Sequence, residues 1–151
     1  MKIRALILAA LLSLCVAATA YAGAECNAEP WGQPIAAVEQ ITFDRMAGSV
    51  KYYKVTKVEP CGIFAIENAD VTYAFTDGKL YASIVEINQA RNIKKVVALL
   101  MEKYGLPDHK VDSGWDVYRW ETDELKIKVK SQYSSDRIKI GTYYKPLIPQ
   151  D

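Results

Sequence analysis

The segment Val71-Thr-Tyr-Ala-Phe-Thr-Asp-Gly-Lys-Leu-Tyr-Ala-Ser-Ile84 constrains the fold more than any other part of the chain. Asp77-Gly78 is a dipeptide that accepts the two positive φ angles of a type I′ turn, and such turns join antiparallel strands directly. Pairing about it sets Phe75 opposite Leu80, Tyr73 opposite Ala82 and Val71 opposite Ile84, so that six apolar residues are predicted to share one face. A hairpin with one oily face must cover that face with something else.

The cover is supplied by the segment that follows. Asn92 is placed to cap a helix in which Ile93, Val96, Val97, Leu100 and Tyr104 recur at helical spacing, and Gly105 and Pro107 are placed to stop it. A second, shorter helix is predicted over 34–42, with Pro34 in its first turn and Ile35, Val38 and Ile41 on one face. Val50 to Val58 has strand composition and ends at Pro60-Cys61-Gly62, and Ile63 to Ile66 is read as a further short strand. Beyond a loop at 106–114, Trp115 to Glu121 and Leu125 to Tyr133 form another predicted hairpin, and Arg137 to Lys145 a final strand. The fold class expected is α+β, an antiparallel sheet of about six strands with two helices on one face and the other face partly open to water. A shift of 45 residues carries Tyr73, Phe75, Leu80, Ala82 and Ile84 onto Tyr118, Trp120, Leu125, Ile127 and Val129, which suggests a tandem helix-hairpin repeat.

The N-terminus sets the compartment. Lys2 and Arg4 precede an apolar run from Ala5 to Val16, and small residues follow to Ala20-Tyr21-Ala22, the layout of a secretory signal peptide over 1–22. The remaining 23–151 is expected to form a single domain. The apolar run falls short of the roughly 20 residues a lasting span needs, so no transmembrane segment is expected. Leu14 precedes Cys15 where bacterial lipid attachment requires a small residue, so no lipid anchor is expected either. The localisation is therefore periplasmic or secreted. Without the leader the chain carries 17 basic residues against 18 acidic ones, a net charge of about −1, which argues against a nucleic-acid binder. Two cysteines remain, and in an oxidising compartment an even pair usually closes. A Cys26 to Cys61 disulfide is expected, contributing about 3 to 4 kcal/mol on the chain-entropy model. The wide spacing of the pair does not suit a redox-active motif.

Trp31-Gly32-x-Pro34, Tyr73-x-Phe75-x-Asp77-Gly78-Lys79-Leu80-Tyr81 and Leu100-x-x-Lys103-Tyr104-Gly105-x-Pro107, with the later Trp-bearing hairpin, resemble small exported bacterial α+β proteins without established function. More distantly, the helix-then-hairpin units resemble the β-lactamase-inhibitor-protein fold and the small lipoproteins of the outer-membrane barrel-assembly machinery. That resemblance implies a protein that acts by binding other proteins. No inhibitor motif is matched, and the lipid-attachment site of the assembly lipoproteins is missing.

Motifs for chemistry are sparse. The chain has no Gly-x-Ser-x-Gly elbow, no Walker loop, no dinucleotide fingerprint, no His-Glu-x-x-His and no haem-attachment motif, so neither catalytic residues nor a cofactor or metal are expected. Its one histidine sits in Asp108-His109-Lys110-Val111-Asp112, where Asp108, His109 and Asp112 offer a metal or acid-base cluster for a small hydrolase; the plainer reading is a solvated polar loop. A surface is the better candidate. Leu125, Ile127 and Val129 alternate with Lys126, Lys128 and Lys130, while Ile138 and Ile140 alternate with Arg137 and Lys139. With the apolar set against the helices, the five cations project from the opposite face, ready for an anionic partner, although a wet sheet face shows the same pattern. Tyr81 and Tyr143 fall on faces opposite the core and are candidates for recognition. The expected function is a non-catalytic module that binds an unknown envelope macromolecule; a small enzyme using 108–112 and a carrier of an apolar ligand held between helix and sheet are the alternatives.

Overall fold

The computed structural model describes residues 29–150. The leader over 1–22, Cys15 and Cys26 lie outside the described residues, and with them the signal-peptide, lipid-anchor and disulfide expectations.

Eight strands run in chain order: β1 Ile41–Ala47, β2 Val50–Val55, β3 Asp70–Thr76, β4 Lys79–Asn88, β5 Asp108–Asp112, β6 Trp115–Glu121, β7 Leu125–Gln132 and β8 Arg137–Tyr144. All eight join one antiparallel sheet in the order β1-β2-β3-β4-β8-β7-β6-β5, with α1, Ile93–Tyr104, linking β4 to β5. The expected α+β layout of six strands and two helices is thus overturned: the sheet has two more strands, and among the described residues α1 is the single α-helix. No helix among them is long and apolar enough to cross a membrane.

The predicted helix over 34–42 is a one-turn 3₁₀ segment, Ile35–Ala37, flanked by extended Pro34 and Val38. The segment buries none of its side chains, so it gains too little to offset the cost of nucleating a helix. Gln40 then adopts a positive φ of 56° and the chain enters β1. Ile63 to Ile66 likewise folds as a 3₁₀ turn, Gly62–Ala65, rather than a strand.

The helix itself follows its sequence closely. Ile93, Val96, Val97 and Leu100 are buried, packed against Val71 and Val85 of the first four strands and Val129, Ile138 and Ile140 of the last four. Its N-terminal cap differs from expectation. The Asn92 side chain makes no capping bond; Glu67 Oε1 accepts the Asn92 N–H at 2.5 Å, placing a carboxylate at the positive end of the helix.

The Asp77-Gly78 turn has φ of 48° and 74°, as a type I′ hairpin demands, and Phe75 pairs with Leu80. Beyond that pair the register departs from expectation. Ala74 pairs with Ala82, leaving Tyr81 as the extra residue of a bulge. Tyr73 therefore meets Ser83, and Val71 meets Val85 instead of Ile84. Strand β4 is buried over most of its length on both faces, so its composition holds no alternation from which the register follows. The suggested repeat also dissolves. β3-β4 are the third and fourth strands of the first four-strand run, β6-β7 the second and third of the next, and β5 stands between α1 and the later hairpin.

On the face away from α1 a second, smaller cluster forms. Ala74, Tyr81 and Ala82 are buried there beneath Tyr52, Tyr143, Leu147 and Ile148, because the C-terminal turn Lys145–Leu147 folds across this end of the sheet. Tyr81 is only 8% exposed. The tyrosines expected to stand free on the far face are packing residues.

Candidate functional site

Strand alternation separates the two faces of β7 and β8 as their sequences require. Ile127, Val129, Ile138 and Ile140 are buried toward α1, with half-buried Leu125 packed beside them. Lys126, Lys128, Lys130, Arg137 and Lys139 consequently lie on the opposite face. The pairing register adds two cations that sequence reasoning missed. Arg119 of β6 pairs with Lys128, and Lys110 of β5 pairs with Val117, which pairs in turn with Lys130. One row across the sheet thus reads Lys110, Val117, Lys130, Lys139 and Glu86, and the next Asp108, Arg119, Lys128 and Gly141. A basic residue inside a strand-like stretch, Arg119 between Tyr118 and Trp120, was the signal that could have revealed its place.

Some of these charges are neutralised within the fold. Lys139 Nζ lies 2.5 Å from Glu86 Oε1, and Lys110 Nζ 3.8 Å from Asp112 Oδ2. Arg137 sits over the Trp115 ring, 5.7 Å from its centroid. Glu121 is taken by Lys145 at 2.9 Å, which holds its carboxyl below the usual range. Lys128 lies at the centre of what is left. Partial burial, followed by the charges of Lys130, Arg119 and Lys110, pushes its ammonium pKa down, and Asp112 only partly opposes this. Burial is thus the first cause, and the three neighbouring cations outweigh the one carboxylate that acts on it.

Two depressions open on this side. A shallow one of about 270 Å³ is lined by Glu86, Asn88, Trp115, Lys130, Arg137, Ile138 and Lys139. A larger one of about 600 Å³ lies at the sheet corner, lined by residues that include Arg119, Lys126 and Lys128 with Tyr104, Leu106 and Trp120. Beside it, the Tyr143 ring lies across Gly141: a Cβ at that position would stand 2.7 Å from Tyr143 Oη.

The Asp108, His109 and Asp112 cluster is not assembled. The segment is not a loop but edge strand β5, whose pairing puts Asp108 and Asp112 on the basic face while His109 pairs with Tyr118 on the helix side. His109 Nε2 lies 2.9 Å from Asp116 Oδ1, and its ring stacks on Tyr118 at 4.4 Å. These contacts fasten the edge strand to β6. No group of three or more metal-binding side chains gathers among the described residues. The larger depression borders the end of the helix, where Tyr104 meets Trp120 and Ile127 of the sheet, while deeper between helix and sheet Val96 and Val129 are fully buried. Burial, reinforced by neighbouring Tyr133 and Asp116, pushes the Tyr118 hydroxyl up to about 12.

Comparison with family models, with curated proteins and with solved structures finds no match for this chain.

Proposed function

We propose that the protein is a non-catalytic binding module of the periplasm or the exterior, whose basic sheet face receives an anionic macromolecule of the cell envelope. The observation that carries this reading is the direct cross-strand pairing of Lys128 with Arg119 and of Lys130 with Lys139, with Lys110 on the same face. A face that served only as a wet surface gains nothing from holding like charges on adjacent strands, an arrangement that is destabilising. An anionic partner supplies the missing counter-charge and is steered toward it from a distance.

Retention on an anionic matrix tests the reading. At low salt the wild-type protein is expected to be retained, and the triple variant K126Q/K128Q/K130Q to flow through with a thermal midpoint no lower than that of the wild type. Equal retention of the two proteins refutes it. Recovery of one envelope component by the wild type, and not by the triple variant, then identifies the partner.

A further inference from the structure

Strand β5 begins too late to flank the whole of β6. Its first residue, Asp108, pairs with Arg119, so Trp120 and Glu121 have no strand beside them on that side among the described residues. The turn from α1 into β5 skirts this gap, held by a hydrogen bond in which Trp120 Nε1–H donates to the Gly105 carbonyl at 2.8 Å. The gap is the corner depression of about 600 Å³, within the roughly 300–1,000 Å³ typical of small-ligand sites.

Its walls are of two kinds. Arg119, Lys126 and Lys128 supply cations, while Tyr104, Leu106 and Trp120 supply apolar surface. Leu106 is 92% exposed, the most exposed of the large apolar residues described. Two carboxylates also line the notch, but Glu121 is held by Lys145 and Asp108 lies across from Arg119. Arg119 and Lys128 are direct cross-strand neighbours, whose Cα atoms stand about 5 Å apart in such pairs. A single phosphate reaches both, and the guanidinium fork of Arg119 matches its oxygens.

We propose that this notch binds an amphiphile: a phosphate-bearing head between Arg119 and Lys128, and a single apolar chain laid over Leu106, Tyr104 and Trp120. The site rests on the reading of the basic face as an anion receptor and adds to it an apolar requirement that a purely electrostatic surface lacks. The chemistry is that of a single-chain lipid phosphate, as opposed to free phosphate.

Calorimetric titration of the wild-type protein at low salt tests it with three probes: dodecyl phosphate below its micellar concentration, inorganic phosphate, and dodecyl maltoside, which keeps the chain and loses the charge. Saturable one-to-one binding is expected for dodecyl phosphate, at least tenfold tighter than for either other probe. Leu106→Ser and Arg119→Gln, both substitutions at exposed side chains, are each expected to weaken it about tenfold without changing the thermal midpoint. Inorganic phosphate or dodecyl maltoside binding as tightly as dodecyl phosphate overturns the proposal, and so does unchanged affinity in Leu106→Ser. Failure of dodecyl phosphate to bind, with matrix retention preserved, removes the notch and leaves the basic face standing. Loss of both removes both.

Discussion

Lys128→Gln separates a surface that stores charge for a partner from one that is simply solvated. Lys128 is half-buried, pairs directly with Arg119, and has Lys130 two residues along the same strand and Lys110 beyond it. Its ammonium pKa is depressed, so the charge is held less favourably in the folded protein than in the unfolded chain. The sign of the linkage follows. A base with a folded pKa below its unfolded value costs stability wherever it is protonated, which includes pH 7. Removing the charge is therefore expected to stabilise. Like charges directly opposite on adjacent strands cost a few tenths to about 1 kcal/mol, so relief of the Arg119 pair, discounted for solvent, is worth about 0.5 kcal/mol. For a fold of this size that raises Tm by roughly 2 °C. The assay is a thermal melt followed by circular dichroism in 10 mM and in 1 M sodium chloride, run beside retention on the anionic matrix. At high salt the Debye length shrinks to about 3 Å, and the gain in Tm is expected to disappear. Retention is expected to fall in the same variant, so that stability and binding move in opposite directions. A lower Tm at low salt, or a gain that survives in high salt, refutes the reasoning, because either result means that Lys128 was making a favourable contact or acting through packing.

Three further substitutions probe the fold beneath that face. Burial pushes the Glu29 carboxyl up, against the opposing pull of a backbone hydrogen bond, Lys103 and Ser83. Its contribution is thus full below the unfolded pKa near 4.5 and lost as pH rises through the folded value. Glu29→Gln is expected to melt above wild type at pH 7 and with it at pH 3, and identical differences at both pH values would contradict this. Gly141→Ala sets a methyl 2.7 to 3.0 Å from Tyr143 ring atoms, forcing the ring out of the second cluster; overpacking of this kind costs about 1–3 kcal/mol, readable in urea titrations. For the bridge expected between Cys26 and Cys61, thiol titration of the denatured mature protein should find no reactive thiol, and Cys61→Ser should lower stability by about 3 to 4 kcal/mol. Two titratable thiols in the wild type would dispose of that bridge.

What the amino-acid pattern disclosed is what burial enforces. Helix α1 was legible because Ile93, Val96, Val97 and Leu100 must face the core and Gly105 must end the run. The lysines of β7 and β8 were legible because their apolar neighbours have one place to go. Edge strands carry no such mark. β1 buries almost nothing, and all five residues of β5 are exposed, so their membership of the sheet rests on backbone pairing that no side chain announces. The two-residue turn Ser113-Gly114, with φ of 53° and 80°, was the trace that β5 left in the sequence.

The same distinction governs the candidate site. Lys126, Lys128 and Lys130 form a pattern along one strand, whereas Arg119 and Lys110 reach Lys128 only across strands, through a register fixed by those unannounced pairings. The sequence periodicity therefore finds five of the seven cations and reports them as an ordinary wet face. The face departs from that where Lys128 meets Arg119 and Lys130 meets Lys139, while Lys126, Arg119 and Lys139 meet Glu121, Asp108 and Glu86. The corner notch lies further still from sequence reading, since it exists because β5 starts opposite Arg119 and leaves Trp120 and Glu121 unflanked. Lengthening β5 toward the helix by two residues, paired with Trp120 and Glu121, would close the notch and leave every lysine of the face in place. The notch is thus a consequence of where one edge strand begins, and the basic face is a consequence of strand alternation, so the two are separable by mutation even though they share Arg119, Lys126 and Lys128.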